Sequence, residues 1–211
     1  MNQTGNTDLI ELAVFVRSPV LRKVKTRLAA AIGPEKALEV YRKLLAHTFK
    51  AASAASRMSS DIKPVLWHRG PVAPIDIPAE FTMDVRPQRH DSMRENLHEI
   101  LRAPSLTRRG VIVIGADHPT LEPGHIVTMA RLLDGHPVSI GPAQDGGFWA
   151  LGTTVPLDGI LDHVPLSCGD TLIALETALE ARGLSHVRGP TLWDVDTEID
   201  LNRWRKEMEK K

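Results

Sequence analysis

The chain is short of the residues that would point to several common chemistries. Of its 211 residues only one is cysteine, Cys168, which excludes an internal disulfide and any cysteine cage for zinc or iron–sulfur, and fits a reducing compartment. Lys and Arg total 26, as do Asp and Glu, so no net charge recruits nucleic acid or an anionic membrane. No stretch approaches the ~18 uninterrupted apolar residues of a membrane span. The polar opening, residues 1–8, lacks the apolar centre of a signal peptide. The nine histidines include no His-x-x-x-His pair. There is no Gly-x-Ser-x-Gly elbow, no P-loop and no Gly-x-Gly-x-x-Gly after the first strand. Trp67, Trp149, Trp193 and Trp204 are too dispersed for a base-stacking surface. A cytoplasmic protein with neither nucleic-acid nor membrane partners is the expectation.

What is present is the composition of an ordinary globular protein, 42% hydrophobic and 25% charged, with length for one full core. One domain over residues 1–211 is expected, residues 1–8 forming a flexible N-terminus. Apolar runs predict strands over 9–16, 61–67 (cut at its start by Pro64), 81–85, 111–114, 138–141, 148–151 and 185–188. Pro71, Pro74 and Pro78 mark an irregular connection after the second of these. Helical spacing predicts helices over 25–32, 35–57, 92–102, 122–134, 171–182 and 198–210. This alternation implies a three-layer α/β/α sandwich around a mainly parallel central sheet.

Val111 to Ile114 are four consecutive β-branched residues, a strand buried on both faces as in a parallel sheet. Asp117 follows them directly, where open α/β sheets bind ligands, although a turn aspartate capping the next helix reads equally simply. His118 beside it reads equally well as a surface residue. Between Leu12 and Pro34 there is no acid, yet Arg17, Arg22, Lys23, Lys25 and Arg27 crowd a loop and helix start where the macrodipole disfavours cations. Such a loop suits phosphate oxygens, or is a solvated basic surface. Asp145-Gly146-Gly147 between two apolar runs predicts a hairpin, with glycine to spare for close approach to a ligand. Asp194-x-Asp196 aims two carboxylates to one side of an extended chain. Thr197 and Asp200 have the spacing of a helix-start capping pair. Carboxylates converging from two loops suit Mg²⁺ or Mn²⁺. Cys168 has no evident base partner and reads as incidental.

Together these stretches resemble a bacterial glycosyltransferase-like family with the nucleotide-diphospho-sugar transferase (GT-A, Rossmann-like) fold. Its members are known as radical-SAM/selenodomain-associated or arsenosugar-biosynthesis transferases. More distantly the chain resembles the guanylyltransferases of molybdenum-cofactor and phospholactate chemistry. The motifs carrying the likeness are Val24-Lys25-Thr26-Arg27-Leu28, Gly115-x-Asp117-x-Pro119-x-Leu121, Gly141-Pro142-Ala143-Gln144-Asp145-Gly146-Gly147-Phe148-Trp149 and Asp194-Val195-Asp196-Thr197. Arg17 stands where the family pattern has lysine, and Arg22 where it has glycine. The family's Gln-x-x-Gly-Asp-Leu-Gly stretch survives as Gln88 and Asp91, followed by Ser92 and Met93.

The resemblance implies a divalent-metal-dependent transferase acting on a nucleotide or nucleotide-sugar substrate and a small-molecule acceptor. Asp117 and Asp196, joined by Asp194, would hold Mg²⁺ or Mn²⁺, with Asp117 and Asp196 catalytic. Arg17, Arg22, Lys25, Thr26 and Arg27 would bind phosphates, and Asp145, Gly146 and Gly147 would border the substrate pocket. Glycosyl transfer is the leading expectation. Nucleotidyl transfer with loss of pyrophosphate uses the same carboxylates, and a non-catalytic nucleotide-binding relative is the reading from another class.

Overall fold

The β-branched run forms β4 (Gly110–Ile114), every residue of which is buried. The computed structural model describes residues 8–72, 77, 83–102, 109–166 and 169–210. Expectations resting on residues 1–7, Pro74, Pro78, Phe81 and Cys168 lie outside that range.

Beside β4 runs β1 (Ile10–Arg17), in a sheet with β2 (Ile62–Arg69), β3 (Asp84–Pro87), β5 (Val138–Pro142), β6 (Phe148–Thr153) and β7 (His186–Arg188). The seven strands are ordered β3-β2-β1-β4-β6-β5-β7. All neighbours are parallel except β6, which is antiparallel to both β4 and β5. The expected mainly parallel sheet is therefore present, but β4 has a parallel neighbour on one side only. Its unbroken apolar run reflects cover on both faces, which either pairing can provide. Pro64 does not cut β2. Pairing with β3 begins at Val65, so the missing N–H interrupts no ladder bond among the described residues.

Six helices complete the described chain: α1 (Thr26–Ile32), α2 (Pro34–Met58), α3 (Met93–Leu101), α4 (Pro123–Leu132), α5 (Thr171–Glu180) and α6 (Glu198–Met208). Successive strand side chains face opposite ways. Leu12, Val14, Ile112 and Ile114 meet Tyr41 and Phe49 of α2 and Ile126 and Met129 of α4. Ala13, Val111 and Val113 meet Leu97 and Ile100 of α3 and Leu175 and Leu179 of α5. This is the three-layer α/β/α sandwich. A third cluster joins Leu28 of α1 and Leu44 of α2 to Trp193, Val195, Leu201 and Trp204. It anchors the last loop and α6 against the first helices. No helix among the described residues is long and apolar enough to cross a membrane.

Candidate active site

β1 turns toward β2 on one side while β4 lies on the other, so the carboxyl ends of β1 and β4 flank a topological switch point. Two distant stretches are tied to that point by backbone hydrogen bonds. Val195 N–H donates to the Asp117 carbonyl at 3.0 Å, Leu192 N–H to the Pro142 carbonyl at 3.0 Å, and Gln144 N–H to the Leu192 carbonyl at 2.9 Å. The end of β4, the β5–β6 hairpin and the 191–197 stretch therefore meet in one place.

Lys25 enters there from the opposite side. Its Nζ lies 2.7 Å from Asp117 Oδ1 and 2.9 Å from Asp196 Oδ1. The Lys25 side chain is 4% exposed, whereas those of Asp117 and Asp196 are 42% and 40% exposed. The ammonium is thus enclosed and its carboxylates open outward. Burial alone would pull the Lys25 ammonium down; the charges of Asp117 and Asp196 outweigh it and leave the group raised. Burial pushes the Asp117 carboxyl up, and Lys25, with His118 and Arg17 behind it, carries it below its ordinary value instead. Asp196 also faces Arg27, whose Nη1 is 3.7 Å from Oδ2 and whose side chain is 73% exposed.

Trp193 and Val195 are buried while Asp194 and Asp196 are not. The anticipated alternation is real: the apolar pair enters the third cluster, and the acids face the site. Asp194 is pushed up to about 6 by burial and then by the negative charges of Asp145 and Asp196, with Lys25 opposing. Asp145, Asp194 and Asp196 are thus near enough to oppose one another's charge. Carboxylate oxygens are the donors a hard divalent cation takes. Yet among the described residues no three of His, Cys, Asp or Glu form a metal-ligating group. The acids are gathered on one side rather than closed into a cage, and the Lys25 ammonium stands between Asp117 and Asp196.

The other expected residues divide. Arg17, Arg22, Thr26 and Arg27 are exposed around the same loop. Arg22 has φ 63° and Lys25 φ 48°, left-handed values that account for glycine at position 22 in the family pattern. Lys25 also occupies the N-cap position of α1. Asp145 is exposed and its Oδ1 accepts the Gly147 N–H at 2.9 Å. At Gly146, φ 87°, a Cβ would lie 1.9 Å from the Gly169 carbonyl oxygen. Its need for glycine is met by internal packing at the foot of α5. The hairpin itself is confirmed, β5 and β6 pairing from Val138–Thr153 to Pro142–Phe148.

Three contributors escape the sequence reading. His118 is buried, not a surface residue, and its Nδ1 lies 3.2 Å from the Trp193 carbonyl. Burial holds the imidazole below its ordinary value, so the neutral ring donates from Nδ1 and aligns the stretch carrying Asp194 and Asp196. Tyr41 Oη accepts the Arg17 N–H at 3.1 Å and donates to the Arg17 carbonyl at 2.9 Å, pinning the end of β1. A lone tyrosine in an aliphatic helix face was the available signal, because a buried hydroxyl needs partners. Arg203 stacks 4.1 Å from the Trp193 ring centre and hydrogen bonds Gln144, a contact with no local sequence signature. Gln88 is also engaged, donating to the Val16 and Trp67 carbonyls at the ends of β1 and β2.

Comparison with known proteins agrees with this architecture. A protein of Desulfovibrio desulfuricans provisionally assigned as a nucleotide-diphospho-sugar transferase superposes with a TM-score of 0.78 at 22% identity, covering 93% of this chain and 86% of that one. A nucleotidyl transferase of Methanothermobacter thermautotrophicus gives 0.58 at 15% identity, over 96% and 98%. Rv0371c of Mycobacterium tuberculosis, solved in complex with manganese, gives 0.52 at 15% identity, over 95% and 99%. The fold is that of nucleotide-diphospho-sugar transferases and nucleotidyltransferases. No curated protein sequence matches the chain. Residues 45–168 match the model of a family described as an uncharacterized protein conserved in bacteria, a span that includes Asp117 and Asp145 and stops short of Asp194. The chain belongs to that family, DUF2064.

Proposed function

We propose that this chain is a divalent-metal-dependent transferase acting on a nucleotide-activated substrate, with a nucleotide-diphospho-sugar as donor and a small molecule as acceptor. One observation carries the reading: Lys25 Nζ pairs at once with Asp117 and Asp196, so the basic first loop and two of the acids share one centre at the switch point. Asp117 and Asp196, with Asp194 beside them, would hold Mg²⁺ or Mn²⁺. That ion, when bound, supplies charge neutralisation for a departing diphosphate. Lys25 and Arg27, with Arg17, Arg22 and Thr26 around them, would bind and orient the phosphates. Asp145 with the Gly146–Gly147 turn would form a wall of the substrate pocket. The narrower likeness to the radical-SAM-associated and arsenosugar transferases, and a cytoplasmic setting, belong to the same proposal.

The test is product analysis with nucleotide sugars and nucleoside triphosphates in the presence of Mg²⁺ or Mn²⁺. Release of a nucleoside diphosphate from a sugar donor is the expected result, lost in Asp117→Ala. Pyrophosphate release from a triphosphate would reassign the chain to nucleotidyl transfer. Metal-independent nucleotide binding without turnover would identify a binding module and overturn the transferase reading.

A further inference from the structure

Lys25 is an ammonium held where a divalent ion would be needed. Only 4% of its side chain is exposed, and its Nζ pairs with Asp117 Oδ1 and Asp196 Oδ1 at 2.7 and 2.9 Å. The backbone that delivers it is in the left-handed region, φ 48° and ψ 47°, a conformation an L-residue adopts only where its surroundings impose it. The carboxylates keep open faces, 42% and 40% exposed, so a cation can approach them from outside. A divalent ion that takes the same Oδ1 atoms would stand beside an enclosed like charge stripped of its partners, an arrangement that is strongly unfavourable at low dielectric. Lys25 therefore has to leave as the ion enters, and a departing ammonium needs another anion. The exposed cations Arg17, Arg22, Lys23 and Arg27 surround the same loop, so the anion drawn to it is one carrying several negative charges.

We propose that Lys25 is a built-in placeholder cation, so that the site accepts a divalent ion together with a diphosphate and resists the free ion. The diphosphate takes over Lys25 as the ion takes over Asp117 and Asp196. This rests on the metal-dependent reading above, and the experiment separates the two. Equilibrium dialysis of the full chain would measure protein-bound Mn²⁺ with Mn²⁺ alone and with Mn²⁺ plus inorganic pyrophosphate.

Wild-type protein is expected to retain Mn²⁺ at least about tenfold more tightly with pyrophosphate than without. Lys25→Met is expected to bind free Mn²⁺ at least about tenfold more tightly than wild type and to lose most of the pyrophosphate enhancement. Should Lys25→Met fail to fold, the wild-type comparison decides alone. Equal wild-type affinity with and without pyrophosphate, or a folded Lys25→Met that binds free Mn²⁺ no better, overturns the placeholder and leaves the metal site standing. Absence of Mn²⁺ binding under every condition overturns the metal-dependent reading itself.

Discussion

Replacing Asp194 with asparagine keeps the shape of the side chain and removes a charge that its surroundings resist. In the folded protein burial, then the charges of Asp145 and Asp196, push the carboxyl up from 3.8 to about 6, a difference worth about 3 kcal/mol at ~1.36 kcal/mol per tenfold. Asp194 is only partly buried, and solvent screening brings this to about 1 to 2 kcal/mol. The sign follows from linkage. Below about pH 4 the group is neutral in both the folded and unfolded chains and costs nothing. Between about pH 4 and 6 the unfolded chain loses this proton while the fold, through burial and the charges of Asp145 and Asp196, retains it, so stability falls across that window and levels off above it. Asp194→Asn is therefore expected to be more stable than wild type at pH 8, by about 2 to 8 °C in Tm at roughly 2–4 °C per kcal/mol for a chain of this size. The advantage should vanish near pH 4. Urea unfolding of both proteins across this range, without added metal, measures the difference directly. A variant that is less stable at pH 8, or whose advantage is the same at both ends, would refute the crowded-acid account of this site.

Four further substitutions probe the same architecture. Lys25→Met should lose about 2 to 3 kcal/mol in urea unfolding at pH 7, less than a fully enclosed pair would, because Asp117 and Asp196 stay 42% and 40% exposed. Adding Asp117→Asn should recover part of that loss, and a strictly additive double variant would refute the coupling. Arg22→Gly relieves a left-handed φ of 63° and should stabilise by up to about 1 kcal/mol, since unfolded-state entropy offsets part of the gain; a destabilised variant would show that Arg22 makes a compensating contact. Gly146→Ala forces a Cβ to within 1.9 Å of the Gly169 carbonyl and should cost more than about 2 kcal/mol, read as a fall in Tm. An unchanged Tm would mean that the hairpin and the start of α5 separate freely.

How far the fold could be read from the chain depended on local signals. β4, the β5–β6 hairpin and the Thr197–Asp200 capping box carry their information in adjacent residues, and each formed as expected. Strand direction is local only in part: the Asp145–Gly146–Gly147 turn marks β6 as antiparallel to β5, but nothing in Phe148 to Thr153 shows that β6 also lies antiparallel beside β4. Boundaries moved by a residue or two where backbone pairing outlasted the apolar run, as at the paired Arg17 and Arg69. The acids were legible as a set, because Asp194 and Asp196 alternate with the buried Trp193 and Val195. Lys25 was legible as a cation but not as their partner, since 171 residues separate it from Asp196. His118 was missed for the same reason: its partner is the Trp193 carbonyl, and a backbone oxygen has no sequence signature.

The cluster of Leu28, Leu44, Trp193, Val195 and Trp204 has a temporal consequence. During synthesis the first loop emerges early, whereas Asp196 is translated 171 residues after Lys25. Until they arrive, Leu28 has no indole to cover it and Lys25 can pair with Asp117 alone. A nascent chain therefore has β1, β2 and β4 in hand before the stretch that brings Asp194 and Asp196 to Lys25.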